Sequence, residues 1–246
     1  MSVSPITVKR LVVPKASDVL AEHLRERILR GELDEGSPLP TERQLGERSG
    51  LSRASVREAL RILESEGLIQ TRPGRNGGAS VKQPTADSIA RSVGLFVRGR
   101  RIRLKSLLET REVIEPAVAR LAALNRTDAD MAALSEAQAR LAASQTDRAA
   151  YLEANVDWHL AVANASHNEP LIGFMTAISA VIQSATENPQ LDSDEVRRQT
   201  IAAHARIQSA ILAGDAEAAE RRMSRHVRAY GDQMRGLTLG DAELAG

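Results

Sequence analysis

Apolar residues recur through most of this chain at the three-and-four spacing of helices. Leu20, Leu24 and Ile28 form one such stripe, with Ser17 and Asp18 as candidate caps and Gly31 as a stop, and they predict a helix to about Arg30. The stretch 32–40, with two prolines, reads as a loop. Thr41 with Gln44 three residues on reads as a capping box for a short helix over 42–48. Ser49-Gly50-Leu51 is a tight turn in which Gly50 is free to take left-handed backbone. Ser52 caps a second helix whose core stripe is Val56, Leu60 and Leu63, and Gly67 ends it. The pattern then turns extended: 68–71 and 79–82 read as strands joined by a glycine-rich loop over 72–78.

After Pro84 the helical pattern resumes and holds to about residue 236. It predicts helices over 86–98, 104–123, 128–145, 148–166, 169–187, 193–213 and 215–235, the last capped by Asp215. No strand-like alternation interrupts them. The expected chain is therefore mainly α. It has a tail over 1–15, a winged helix-turn-helix over 16–84, an all-helical bundle over 85–236 and a second tail over 237–246.

Composition narrows the function. Hydrophobic residues make up 42%, ample for a core, while aromatics are 2% and good helix formers dominate. The absence of cysteine excludes disulfides, thiolate metal sites and thiol catalysis. There is no apolar run of about 18 residues and no signal-peptide pattern, so the expectation is a cytoplasmic protein without a membrane span. The net charge of +1 says little, but its distribution says more: residues 48–82 hold seven basic and three acidic residues. Arg53, Arg57 and Arg61 project together at i, i+4, i+8 beside the core stripe. Such a row alone is usually a solvated face. Joined to a tight turn, two capped helices and a basic hairpin, it points to DNA, which arginine grips through its planar fork. Helix N-termini favour phosphate as well. Arg91, Arg98, Arg100, Arg101, Arg103 and Lys105 form another basic run, readable as a solvated face or a supporting phosphate contact.

A second constellation lies in the helical half. Asn155 and His159 share a helix face one turn apart, His204 sits among Ile201, Ile207 and Ile211, and His226 lies near Met223 and Val227. Three helices thus each offer an imidazole, and bundle cores are where facing helices assemble metal sites. Ordinary core histidines fit the same spacing. Asp157 is offset by two residues from both Asn155 and His159, so it points elsewhere and is not a ligand. His23 reads as a surface residue and His167 as part of a turn.

The segment PLPTERQLGERSGLSRASVREALRILESEGLI and the wing RNGG resemble the GntR family of bacterial transcription regulators. LLETREVIEPAVARLAA at 107–123, NVDWHLAVANASHNEPL at 155–171, HARIQSAILAGDAEAAE at 204–220 and MSRHV at 223–227 resemble that family's all-helical FCD effector domain. The helix over 86–98 resembles the seven-helix form of the domain. The resemblance implies a homodimer that binds double-stranded DNA at an inverted repeat, with contacts at Arg43, Arg53, Ser55, Arg57 and Gly77. It also implies a divalent metal held by Asn155, His159, His204 and His226, with zinc as the first choice and nickel or manganese next. The family typically has aspartate where this chain has Asn155. A small organic acid is implied as the effector, releasing what is usually a repressor. Arg111 is a candidate anchor for the acid; the residues equally allow a salt bridge to Glu115 one turn on. Because imidazole must be neutral to bind metal, affinity is expected to fall as pH drops through about 6.5. The alternatives are an architectural DNA-binding dimer without effector and a metal-dependent enzyme. No nucleophile or general base is placed beside the implied ligands, so an enzyme is not expected.

Overall fold

Val56, Ala59 and Leu63 have no accessible surface, and the N-terminal unit is built around them. In the computed structural model, which describes residues 13–72, 78–185 and 193–236, the chain divides after Pro84 into two compact units. The first contains α1 (Ala16–Leu29), α2 (Glu42–Ser49), α3 (Arg53–Ser65) and the strands β1 (Ile69–Arg72) and β2 (Gly78–Val81). Thr41 and Gln44 form the expected capping box, Gly50 turns the chain with φ +71°, and the Ser52 hydroxyl accepts from the Ser55 amide. The N-terminus of α1 differs from expectation. The helix starts at Ala16 with Lys15 at the N-cap, and Ser17 is buried in the first turn instead of capping it. Leu20, Leu24 and Ile28 do face the core.

β1 and β2 pair antiparallel with Ile69 opposite Val81 and Arg72 opposite Gly78. The supposed loop before Thr41 adds a third edge. Pro38 bridges to Ser80, Leu39 donates to the Ala79 carbonyl, and Val81 donates to the Ser37 carbonyl. The prolines hid this segment, because proline is tolerated only at a sheet edge.

The second unit is all helical among the described residues: α4 (Ala86–Gly99), α5 (Leu104–Asn125), α6 (Asp128–Ala143), α7 (Arg148–Ala165), α8 (Glu169–Ala185), α9 (Asp194–Ala213) and α10 (Ala216–Gly236). Its core joins Trp158, Leu134, Leu141, Ile178, Ile207, Ile211 and Met223 from five of these helices. Thr127 and Asp130 form a capping box for α6, and the Asp215 carboxylate accepts from the Ala218 amide at the start of α10. α5 runs unbroken through Pro116, which is buried. α4 and α8 pack closely at Gly173, where an added Cβ would lie 2.6 Å from the Ala86 carbonyl oxygen.

Candidate functional sites in the two units

In the N-terminal unit α3 buries its apolar stripe and leaves Arg53, Arg57 and Arg61 exposed. Ser55 is half-buried in the first turn, its hydroxyl 2.9 Å from that of Ser52. No acidic residue occupies that turn, so the helix N-terminus is left available to an anion. Arg57 reaches across to Glu42 of α2 at 3.0 Å and holds that carboxyl below its usual range. Arg43, exposed on α2, pairs with Glu47 at 2.7 Å. Arg53 and Arg61 add to the positive field that holds the Glu42 carboxyl down. Gly77 lies outside the described residues.

The second unit brings the histidines together. His159 on α7, His204 on α9 and His226 on α10 each offer one ring nitrogen, and these atoms lie within 4.8 Å of one another. The Nε2 atoms of His204 and His226 are 3.0 Å apart. Nitrogen ligands of a tetrahedral zinc ion stand roughly 3.3 Å apart, given zinc–nitrogen bonds of about 2.0–2.1 Å. Asn155 lines the same cavity as His159 and His226, and its buried Oδ1 has no hydrogen-bond partner. His204 Nδ1 is likewise buried without a partner. An orphaned amide oxygen beside three converging imidazoles is the donor set a divalent metal takes.

Burial is the main influence on these rings. It pushes His204 well below the usual imidazole range, and the neighbouring His226, His159 and Arg111 act in the same direction. Burial, then His159 and Arg111, pushes His226 down to about 3, although the residue is only half-buried and borders the cavity. Both rings are thus neutral, as ligation requires. The Trp158 ring stacks on His204 with centroids 3.8 Å apart and fixes its orientation.

Arg111 and Glu115 form a buried ion pair on α5, and Arg111 also lines the cavity. Arg111 Nη2 lies 3.3 Å from His159 Nε2. Glu115 Oε2 lies 2.7 Å from His159 Nδ1. Burial would raise the Glu115 carboxyl, yet Arg111 and His159 outweigh it and hold the group well below the carboxylate range. Both sequence readings of Arg111 are therefore present at once: it is ion-paired, and it faces the cavity. Glu115 was legible only as a salt-bridge partner, because its contact with α7 is tertiary. Asp157 turns away to Arg140 at 3.2 Å, His23 is exposed, and His167 sits in a turn with φ +50° and contacts Asp130 at 2.7 Å.

The cavity has a volume of about 80 Å³ and is walled by α5, α7, α8, α9 and α10. Its wall combines apolar Leu152, Val156 and Ile182 with Arg111, Asn155 and His159, the mixture that small-molecule sites show.

Comparison with known proteins adds to this geometry. The model of bacterial regulatory proteins of the gntR family matches residues 16–77, and that of the FCD domain matches residues 106–229. Over 230 residues, 90% of each chain, the sequence is 32% identical to the Glc operon transcriptional activator of Escherichia coli. It is 30% identical over 208 residues to the galactonate operon transcriptional repressor of Escherichia coli, covering 83% of this chain and 90% of that one. Among solved structures, Streptococcus agalactiae GntR superposes with a TM-score of 0.64 at 23% identity, covering 88% of this chain and 99% of that chain.

Proposed function

This chain belongs to the GntR family of bacterial regulatory proteins and carries an FCD domain, so it is a DNA-binding transcription regulator, and we propose that a small organic acid bound beside a divalent metal in the helical unit controls its hold on DNA. The single observation behind this reading is the convergence of Arg111, Asn155, His159 and His226 on one cavity, with His204 buried beside them in the same imidazole cluster. Asn155 and the three imidazoles would hold the metal, zinc first and nickel or manganese next. When bound, the metal supplies a Lewis-acidic centre that favours a carboxylate. Arg111 orients that carboxylate through its planar fork, and the apolar wall excludes water around it. A relative named for a galactonate operon supports an acid as the effector class.

On the DNA side, the chain acts as a homodimer on an inverted repeat. Each α3 enters the major groove with Arg53, Ser55 and Arg57, and Arg43 supports it from α2. Free protein keeps Arg57 and Arg43 on carboxylates, and DNA takes their place. The acid lowers DNA affinity, which makes the protein a repressor released by its effector. Two measurements test the reading. Elemental analysis of protein made without a histidine tag should find about one divalent metal per chain, lost on chelation. Duplexes selected from a random pool by the full chain should form a two-fold repeat, and they should be released by members of an organic-acid panel. If no metal is found, added zinc leaves the melting temperature unchanged and no acid shifts DNA binding, the helical unit is an unliganded architectural bundle.

A further inference from the structure

A second cavity of about 310 Å³ lies beside the first between α9 and α10, and the two share Val196, Thr200, His226 and Tyr230 in their walls. Three arginines line the outer cavity. Arg222 and Arg225 stand on α10 within four residues of His226, and Arg206 stands on α9. Arg222 donates to the Arg206 carbonyl oxygen, which ties the two helices together at this point. Among the described residues no carboxylate lines either cavity. Acidic residues on the same helices are engaged elsewhere: Glu195 accepts from Arg198 and from the Gln199 amide, Glu217 accepts from Arg221, Asp194 pairs with Arg197 and Glu220 with Arg120. Among the described residues none of the three mouth arginines has a carboxylate partner.

The inner cavity is equally short of negative charge. Arg111 is balanced by Glu115, and the other donors are a neutral amide and imidazoles. A divalent ion held there would meet no counter-charge from the wall. A site whose inner end lacks an anion and whose mouth carries three guanidinium groups with no carboxylate partner among the described residues is matched by a ligand charged at both ends. Guanidinium grips carboxylate and phosphate equally well through paired hydrogen bonds. Resting on the acid-effector reading above, we propose that the effector is a small acid with at least two negative charges. One carboxylate seats against Arg111 and the donor cluster. The second acid group, carboxylate or phosphate, seats among Arg206, Arg222 and Arg225.

Calorimetric titration of the full chain with zinc present, using lactate, succinate and 3-phosphoglycerate as probes, tests this. At least one of the two doubly charged acids should bind ten-fold or more tighter than lactate, and which one does so distinguishes a dicarboxylate from a phosphorylated acid. The double variant Arg206→Gln, Arg225→Gln should lose that advantage and keep lactate affinity within two-fold. Its melting temperature without ligand should be unchanged, since both side chains are exposed. Equal binding of all three acids, or an unchanged advantage in the variant, would overturn the two-ended site and leave the acid-effector reading standing. A variant that loses DNA affinity and keeps its acid preference also overturns it and assigns these arginines to the phosphate backbone. Binding of none of the acids overturns both readings.

Discussion

Glu115 is 1% exposed and Arg111 9%, so the pair has left nearly all its water behind. Such a pair returns little net stability, but breaking it strands a buried charge at a cost of about 3–5 kcal/mol. Glu115→Gln should lower unfolding free energy by that order in denaturant titration, whereas a surface change such as Glu136→Gln should stay within about 0.5 kcal/mol. The histidines give a pH signature. Between the depressed folded-state pKa of His204 and the ordinary imidazole value near 6.5, the unfolded chain holds more protons than the folded one. Stability therefore rises with pH in that window, and the metal-free protein should weaken as pH falls below about 6.5. The loss approaches about 1.4 kcal/mol per pH unit for His204 and is smaller for His226 at the cavity edge. Unfolding midpoints at pH 7, 6 and 5 measure it; a flat profile would mean the rings are hydrated. The same shifts alter the sequence expectation for metal binding. Neither ring has a proton to displace near pH 6.5, so their contribution to the loss of metal affinity moves to lower pH.

The DNA face yields its own residue-level prediction. Glu42 ties down Arg57 in the free protein. Arg57→Ala should cost on the order of 1–3 kcal/mol on the selected duplex if Arg57 reads a base. Glu42→Gln should instead strengthen binding to selected and unrelated duplexes alike, because it removes a repelling carboxylate and frees the guanidinium. Fluorescence anisotropy with both variants separates the roles; wild-type affinity in both would remove α3 from the interface.

Among the elements, the helices were legible because their apolar stripes repeat with helical period and their ends carry caps. Thr41 with Gln44, Ser52, Gly67 and Asp215 each act where the sequence placed them. Ser17 misled because a hydroxyl near a helix start is equally able to be buried in the first turn. The third sheet edge at Pro38 was hidden by proline chemistry. The site was partly legible. Asn155 and His159 follow from helix geometry alone, but the meeting of α5, α7, α9 and α10 is tertiary, and so are the stacking of Trp158 on His204 and the reach of Glu115 to His159. Gly173 is another tertiary feature: its missing side chain lets α4 approach α8. Gly173→Ala would set a methyl group against the Ala86 backbone, and it should destabilise by about 1–3 kcal/mol as overpacking does. A neutral or stabilising result in thermal unfolding would show that α4 gives way freely.

For the whole molecule, no helix of the described residues is long and apolar enough to cross a membrane. The chain joins a DNA-binding unit to an FCD domain, and regulation by the proposed acid requires a coupling free energy between them. That coupling is measured directly by the dissociation constant of the metal-loaded full chain for its selected duplex, with and without a saturating acid. A ten-fold change corresponds to about 1.4 kcal/mol, within the usual range of such couplings. A saturating acid should weaken DNA binding by ten-fold or more, and Arg111→Lys should abolish the effect while leaving DNA affinity without acid intact. A dissociation constant that stays the same at acid concentrations shown to fill the helical unit would contradict it.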